Sequence, residues 1–272
     1  MQQKIDKVII NTALPEDRLK QNILDARKYC LTPISELPDW REGRTAAIVG
    51  GGPSLSKHLD QLRKGNLTIA CGSVHDYLMS NRVEPNYTLI CDPDPLMAKY
   101  ISRRGRKENT KYLIASQCSE EVFYVTEGRD RYIWDCLGPT EFNQEMFDAG
   151  RANAIPGGCT VGTRAILCAI GMGFKKLRLY GMDSCIDGEK HHSYEFHNPE
   201  LESLGEITEI KIDHSDKTFQ VAGYMMAQIF DFQEILKVYG ETLQIEVIGD
   251  GVLAEIMRIG HVKAKQHLEK VN

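Results

Sequence analysis

The sequence of 272 residues lacks several features that point to particular protein classes. No apolar run approaches the roughly 20 residues of a membrane-spanning helix, and the first residues lack the apolar core of a signal peptide. The formal net charge of -5 provides no basic surface for nucleic acid. The eight cysteines include no Cys-x-x-Cys pair, which argues against a disulfide framework or a zinc site. We therefore expect a cytoplasmic protein with buried thiols, no transmembrane segment and no nucleic-acid partner.

Hydrophobic residues make up 42% of the chain, enough for one sizeable core. Short apolar segments alternate with helix-like segments, a pattern typical of parallel βαβ units. We expect an α/β fold with a Rossmann-like, mostly parallel sheet, helices on both faces and a lid-like insertion at about 184–216. Residues 1–44 are predicted to be an N-terminal arm, 45–262 the main domain and 263–272 a charged tail. The apolar segments predict strands at 46–49, 66–71, 85–91, 111–115, 176–181 and 243–248, and the periodic segments predict helices at 15–29, 53–64, 74–81, 163–172 and 219–238.

The first of these strands stops at Gly50, Gly51 and Gly52, which precede Pro53 and Ser54. Glycines let the backbone approach a ligand closely, and proline and serine are typical of a helix start. A strand, a glycine turn and a helix N-terminus together favour a phosphate or diphosphate. The segment matches neither G-x-G-x-x-G nor the Gly-Lys-Ser/Thr of a P-loop, and an ordinary turn without a ligand is the alternative.

The next two strands end on Gly72-Ser73 and on Asp92-Pro-Asp94-Pro. Ligands collect at the carboxyl ends of the strands in parallel sheets, so we expect both segments to lie near the glycine turn. The two carboxylates suit a ribose hydroxyl or a divalent metal. Alternatively, they cap the helical segment that follows.

A second glycine and hydroxyl segment, Thr160-Val-Gly162, precedes a small apolar helix and predicts a second anion site. The strand at 176–181 then delivers Asp183 at its carboxyl end. A carboxylate at this place favours a hydrogen bond to a sugar or a base, and capping of a turn is the alternative.

Residues 184–216 carry most of the acid and base chemistry, including His191, His192, Tyr194, His197 and His214. The adjacent pair His191-His192 does not match the spacing of a zinc site. A histidine serves better as a general base, because its usual pKa lies nearest the working pH. A long polar segment of this kind behaves as an active-site lid.

Together, Ile48 to Leu55, Cys91 to Pro95 and Tyr180 to Ser184 resemble the MptE-like domain family. That family is named for archaeal 6-hydroxymethylpterin pyrophosphokinase and includes motility-associated factors that are thought to glycosylate flagellin. The chain is also distantly similar to bacterial sialyltransferases that use CMP-sialic acid. Their marks are matched here by Gly50 to Leu55, Thr160 to Gly162, Gly181 to Asp183, Ser193 to Phe196 and His214-Ser215.

The resemblance implies a role for each matched residue. Gly50, Gly52 and Ser54 would hold the nucleotide phosphate and ribose. The convergence of the strand ends places Gly51, Gly72, Ser73 and Asp92 in the same nucleotide site. Thr160 and Gly162 would touch the donor, Asp183 the nucleoside and Tyr194 the departing phosphate, and His214 would deprotonate the acceptor. Three departures from the sialyltransferase pattern, at Gly158, Cys185 and Asp213, leave the donor sugar open.

Three functions follow as hypotheses. The first is a glycosyltransferase that moves a sugar from a CMP-type nucleotide donor to a hydroxyl of a glycan or small molecule. The second is a diphosphokinase, in which Asp92 and Asp94 would hold Mg²⁺ against ATP. The third is a nucleotide-binding module without turnover. The sequence leaves the acceptor open, and it is compatible with a homo-oligomer.

Overall fold

The computed structural model describes residues 14–37, 44–63, 67–103, 105, 109–136, 153–195 and 204–260. The start of the predicted arm, the charged tail and His197 lie outside the described residues. None of the described helices is long and apolar enough to cross a membrane.

The core of the molecule is one nine-stranded sheet in which every described strand pair is parallel. Its strands are β1 (Thr32–Pro33), β2 (Thr45–Val49), β3 (Leu67–Cys71), β4 (Tyr87–Ile90), β5 (Lys111–Ala115), β6 (Asp130–Cys136), β7 (Ala154–Ile155), β8 (Lys176–Tyr180) and β11 (Gln244–Ile248). The order across the sheet is β1-β6-β5-β4-β3-β2-β8-β11, with β7 beside β6. The predicted α/β fold with a mostly parallel sheet is confirmed.

Helices cover both faces of the sheet. The α-helices are Glu16–Ala26, Leu59–Leu62, Val74–Ser80, Glu120–Val125, Val161–Gly171, Gly223–Tyr239 and a last one over 252–260. Shorter 3-10 segments are Arg27–Tyr29, Ile34–Glu36, Pro53–Lys57 and Pro95–Tyr100. Alternate residues of β2 enter two separate hydrophobic clusters, Ala46 and Ile48 one, Ala47 and Val49 the other. Because successive strand residues face opposite sides, this split shows that β2 is buried on both faces.

The strand order reverses between β2 and β8. From β2 the chain builds outward through β3, β4, β5 and β6, and it then returns to place β8 and β11 on the opposite side of β2. Ligands of open α/β sheets bind outside the carboxyl ends of the strands at such a reversal. Residues that follow β2 and β8 therefore border the natural binding crevice of this fold.

An antiparallel hairpin that the sequence patterns did not indicate begins within the predicted lid and ends beyond it. Its strands are β9 (Ile207–Lys211) and β10 (Thr218–Ala222), and the long helix begins at Gly223 rather than at the predicted Phe219. Phe219 and Val221 are buried while Thr218 and Gln220 are exposed, which is the period of a strand. The helical interpretation failed here because Phe219 also fits the apolar face of the helix that follows.

The predicted regular helix after the glycine turn is also wrong. Pro53–Lys57 forms a 3-10 segment, and only Leu59–Leu62 is α-helical. Such short pieces present a weaker macrodipole than a full helix. The described part of the predicted N-terminal arm is attached to the sheet, because Thr32 pairs with Tyr132 of β6.

Candidate active site

The glycine turn at 50–52 lies directly against the end of β8. The N–H of Gly50 donates to the Tyr180 carbonyl and that of Gly52 to the Gly181 carbonyl, both at 2.8 Å. A Cβ on Gly50 would lie 2.6 Å from the Gly181 oxygen, so the close approach requires glycine. The N–H groups of Gly50 and Gly52, two residues expected to hold the phosphate and ribose, are therefore used inside the protein. The N–H of Gly51 has no hydrogen-bond partner among the described residues.

Ser54 and Asp183 hold the ends of β2 and β8 together. The Ser54 hydroxyl donates to Asp183 Oδ1 at 2.7 Å, and the Ser54 N–H donates to Oδ2 at 2.9 Å. Both residues are buried, and burial raises the pKa of Asp183 while the two bonds from Ser54 oppose that rise. The Asp183 carbonyl also accepts the N–H of Val252 at 2.8 Å, which adds the last helix to the same joint.

Met182 lies between the two glycine segments. Its sulfur would be 3.0 Å from a Cβ on Gly50 and 2.7 Å from a Cβ on Gly162. The turn at 50–52 and the start of the helix Val161–Gly171 thus meet at one edge of the sheet, on either side of a buried side chain. On the neighbouring strand end, a Cβ on Gly72 would lie 3.9 Å from Val161 Cγ1.

The start of the helix Val161–Gly171 is capped by Thr160, whose hydroxyl accepts the N–H of Thr163 at 3.3 Å. The N–H groups of Val161 and Gly162 have no hydrogen-bond partner in the part of the chain that the structure describes. A free pair of N–H groups at the positive end of an 11-residue helix is suited to an anion.

Asp231 is a neighbour of this helix start that the sequence patterns did not identify. Its Oδ2 accepts the N–H of Cys159 at 2.5 Å and the hydroxyl of Thr163 at 3.4 Å. Asp231 belongs to the helix Gly223–Tyr239, 72 positions after Cys159, so no local motif joins the two. The carboxylate fixes the loop that leads into Thr160.

Residues 191–194, here called the strap, pack onto the glycine turn. The N–H of Ser193 donates to the Gly51 carbonyl at 2.8 Å, and its hydroxyl donates to the Gly52 carbonyl at 2.7 Å. Tyr194 stacks on Tyr77, and its hydroxyl lies 2.7 Å from the hydroxyl of Ser73. The strap therefore brings Tyr194 together with the end of β3.

Burial sets the protonation of the strap. Desolvation, followed by the neighbouring His191, lowers the pKa of His192 to about 4. Desolvation also raises the pKa of Tyr194 above its ordinary range. At neutral pH His192 is uncharged, and the Tyr194 hydroxyl keeps its proton and can donate a hydrogen bond.

Asp92 and Asp94 bind backbone N–H groups in their own loop. Asp92 Oδ1 accepts the N–H of Asp94 at 3.0 Å, and Asp94 Oδ1 accepts that of Leu96 at 2.8 Å. Asp94 thereby caps the 3-10 segment Pro95–Tyr100, as the alternative interpretation of this loop predicts. Burial raises the pKa of Asp92. No group of three His, Cys, Asp or Glu side chains that could hold a metal occurs among the described residues.

His214 lies in the turn between β9 and β10, apart from the other candidate residues. It is exposed and has a φ of 69°, in the left-handed region. No hydrogen bond or ring contact joins it to the glycine turn, Asp183 or Tyr194 within the described ranges. The next residue, Ser215, is buried and donates its hydroxyl to Glu255 at 2.6 Å.

An open cleft of about 550 Å³ lies between the 3-10 segment Pro53–Lys57, the loop after β8 and the hairpin β9–β10. Ser54 and Asp183 form part of its lining, and the hairpin contributes residues from both of its strands. Three further carboxylates, those of Asp187, Glu209 and Asp250, also line it. Lys57 pairs with Asp250 at 3.2 Å. The sequence patterns did not identify this cleft, because its walls come from distant segments.

The model of one protein family, 6-hydroxymethylpterin diphosphokinase MptE-like, matches residues 18–189, well over half of the chain. The chain belongs to the MptE-like family. The resemblance drawn from the sequence motifs is thereby confirmed. The match covers the glycine turn, the helix start at 160–162 and Asp183, and it ends before Tyr194 and His214. No curated protein matches this MptE-like chain in sequence.

Among solved structures, the chain is similar to the MAf glycosyltransferase from Magnetospirillum magneticum AMB-1, with a TM-score of 0.67 and 16% identity. The match covers 89% of this chain but only 38% of that protein, so the chain spans well under half of its length. At this identity the likeness shows a shared fold. A sialyltransferase from Campylobacter jejuni in complex with cytidine-5'-monophosphate matches 78% of this chain and 83% of its own at 18% identity, with a TM-score of 0.40.

Proposed function

We propose that this member of the MptE-like family is a glycosyltransferase that moves a sugar from a CMP-type nucleotide donor to a hydroxyl acceptor. One observation carries the proposal: the glycine turn, the helix start at Thr160 and Asp183 meet at the strand-order reversal, around the side chain of Met182. A nucleotide donor at this reversal would meet free N–H groups on one side and the buried carboxylate of Asp183 on the other.

The cleft beside Asp183 suits the nucleoside. Four of its lining side chains are carboxylates, which accept hydrogen bonds and do not donate them, so they favour ribose hydroxyls and a base that carries an amino group. Lys57, which also lines the cleft, is paired with Asp250. Phe219 and Ile186 supply apolar surface in the same cleft. Since Asp183 is already bound by Ser54, it would bind a ribose hydroxyl through its remaining acceptor capacity.

The donor phosphate suits the opposite side of the crevice. There the N–H groups of Val161 and Gly162 form the anion-binding end of a helix. Negative charge develops on the phosphate as the sugar departs, and preorganised donors stabilise such charge. Tyr194, which retains its proton, would add a further donor if its hydroxyl turned from Ser73.

The acceptor hydroxyl needs a base, and we assign that role to His214. The hairpin that bears it lines the cleft through Glu209, Thr218 and Gln220. An acceptor that enters over the hairpin would therefore approach His214 and the donor from the same side. An imidazole within hydrogen-bond reach of the acceptor typically contributes about 10²–10⁴-fold to the rate.

The family description favours a second candidate, a diphosphokinase, for which the sequence hypothesis above names ATP and Mg²⁺. Mg²⁺ binds through oxygen ligands in near-octahedral geometry. Asp92 and Asp94 each accept a backbone N–H of their own loop, so this pair fits the ion poorly as it stands.

Thermal unfolding with nucleotides tests the two candidates. CMP, CTP, ATP and GDP are each added with and without Mg²⁺ to the wild type, to Asp183→Asn and to the matched control Asp130→Asn, at the start of β6 and four strands away from β2. We expect CMP without Mg²⁺ to raise Tm by about 5 °C at a hundredfold excess over Kd, since that excess contributes about 2.7 kcal/mol. Asp183→Asn should lose most of the shift and Asp130→Asn should keep it.

The outcomes separate the functions. A shift that appears only with ATP and Mg²⁺ would support the diphosphokinase and contradict the glycosyltransferase. No shift with any nucleotide would contradict both candidates. Release of CMP from a CMP-linked sugar in the presence of an acceptor would then distinguish an enzyme from a binding module.

A further inference from the structure

Glu255 is a buried carboxylate that none of the matched motifs includes. Its residue is 2% exposed, and it lies on the last helix, over 252–260. Acidic residues are almost never fully buried unless they are paired. Glu255 is paired three times, with Arg258, with Lys217 at 3.4 Å and with the hydroxyl of Ser215 at 2.6 Å.

The bond from Ser215 is the part of this cluster that reaches the hairpin turn. Ser215 is buried, although the residue before it is exposed. Its hydroxyl also accepts the N–H of Lys217 at 3.1 Å, and its own N–H donates to the Ile212 carbonyl at 3.0 Å. These bonds close the turn on both sides of His214, whose left-handed backbone an isolated turn would not favour for a non-glycine residue.

The helix that carries Glu255 is itself fixed to the end of β8. The N–H of Val252 donates to the Asp183 carbonyl at 2.8 Å, and a Cβ on Gly251 would lie only 2.3 Å from that oxygen. Glu255 follows Val252 by three positions, about one helical turn or 5 Å along the axis. A continuous chain of contacts therefore runs from Asp183 through the last helix and Ser215 to His214.

We propose that Glu255 is a positioning residue that fixes the turn bearing His214 relative to Asp183, through the hydroxyl of Ser215. The proposal rests on the proposed function for the role of His214 as the base. It assigns to Ser215 the part of an anchor, which explains why a serine follows the histidine. The sequence offers no local signal for Glu255, because it lies 40 positions after Ser215.

Amide hydrogen exchange of the full chain tests the anchor without any substrate. Ser215→Ala should speed exchange at 213–217 by at least tenfold, because it removes a hydrogen bond to a charged acceptor. Glu255→Gln keeps an acceptor oxygen and should give a smaller increase. Two matched controls remove a serine hydroxyl and a paired carboxylate elsewhere: Ser80→Ala and Glu246→Gln should leave 213–217 unchanged.

A turnover measurement tests the positioning role. The probe donor is CMP-N-acetylneuraminic acid, and release of CMP is followed with lactose as the probe acceptor. Ser215→Ala should lower kcat by at least tenfold, with KM for the donor within twofold of wild type. The kcat of Glu255→Gln should lie between those of the wild type and Ser215→Ala. CMP should raise the Tm of both variants as it does for wild type.

Each outcome bears on the proposal. Exchange at 213–217 in Ser215→Ala that stays within twofold of wild type would overturn it, and so would a rise in donor KM at unchanged kcat. If Ser215→Ala loosens the whole chain, Glu255→Gln decides by the same two criteria. If the wild type releases no CMP, the proposed function fails with this donor, and the exchange result alone decides whether Glu255 anchors the turn.

Discussion

The bond between Ser54 and Asp183 gives the sharpest test of how this site is held together. Ser54→Ala removes the hydroxyl that lies 2.7 Å from a buried carboxylate, and it leaves the backbone N–H bond at 2.9 Å intact. A hydrogen bond to a charged group contributes about 1.5–3 kcal/mol, against about 0.5–1.5 kcal/mol for a neutral pair. At neutral pH we therefore expect Ser54→Ala to lower the free energy of unfolding by about 2 kcal/mol.

The pH dependence makes this prediction specific. Burial raises the folded-state pKa of Asp183 above its unfolded value of 3.8, so the folded protein holds this proton more tightly than the unfolded chain does. The contribution of Asp183 to stability consequently falls as pH rises from about 3.8 through the raised pKa. Without the Ser54 hydroxyl the folded-state pKa of Asp183 rises further. The stability loss caused by Ser54→Ala should be about 1 kcal/mol smaller at a pH below the folded-state pKa of both proteins, where the Asp183 carboxyl is neutral.

Urea unfolding at neutral pH and at about pH 4, close to the ordinary pKa of aspartate, measures both quantities. Ser56→Ala, in the same 3-10 segment with an exposed side chain, is the matched control and should change the free energy of unfolding by less than about 0.5 kcal/mol. A double-mutant cycle with Asp183→Asn isolates the pair. An equal loss at both pH values, or additive effects in the cycle, would refute the coupling of Ser54 to a charged Asp183.

Three further predictions follow from the strap, the hairpin and the last helix. Gly51→Ala places a Cβ 2.6 Å from the Tyr194 hydroxyl, so it should destabilise the protein by about 1–3 kcal/mol and speed amide exchange at 191–194; an unchanged strap would contradict the packing. His214→Gln should lower turnover by about 10²–10⁴-fold while CMP still raises Tm, and full activity would remove the assigned base. Glu255 has its pKa lowered from 4.5 to about 2, chiefly by the bond from Arg258. Its stabilising effect, present above 4.5, should therefore fade toward pH 2, and Glu255→Gln should flatten the acid limb of the unfolding curve; identical limbs would contradict this.

The sequence predicts six of the nine strands of the main sheet, because most buried parallel strands carry their own signal, and it does not predict β1, β6 or β7. Lys111–Ala115 has the predicted bounds, and β2, β3 and β8 differ from prediction by one residue at one end. In each of them a short apolar run ends at glycine or polar residues, so local composition alone suffices. The edge position of β9 explains why it was missed. Its residues are mostly exposed, and no apolar alternation marks them.

The candidate site is predictable only in part, for a different reason. The end of a buried strand is recognisable in the sequence because an apolar run stops there, and this signal identifies Gly50, Asp92 and Asp183 as candidates. What each side chain binds depends on distant segments: Ser54 binds Asp183 from 129 positions away, and Ser193 binds Gly52 from 141. Asp231 binds Cys159 from 72 positions away and Glu255 binds Ser215 from 40, and neither carboxylate occurs in a motif.

The pairing of β8 with β2 has a consequence for when the binding crevice forms during folding. The crevice is complete only once β8, which follows β3, β4, β5 and β6 in the chain, has paired with β2. Loop closure over so many residues is slow, because it is the non-local pairing that limits such topologies. A nucleotide bound at the reversal would stabilise only chains in which this pairing has occurred. Retention on an immobilised nucleotide would then separate completed molecules from those arrested before the two halves of the sheet join.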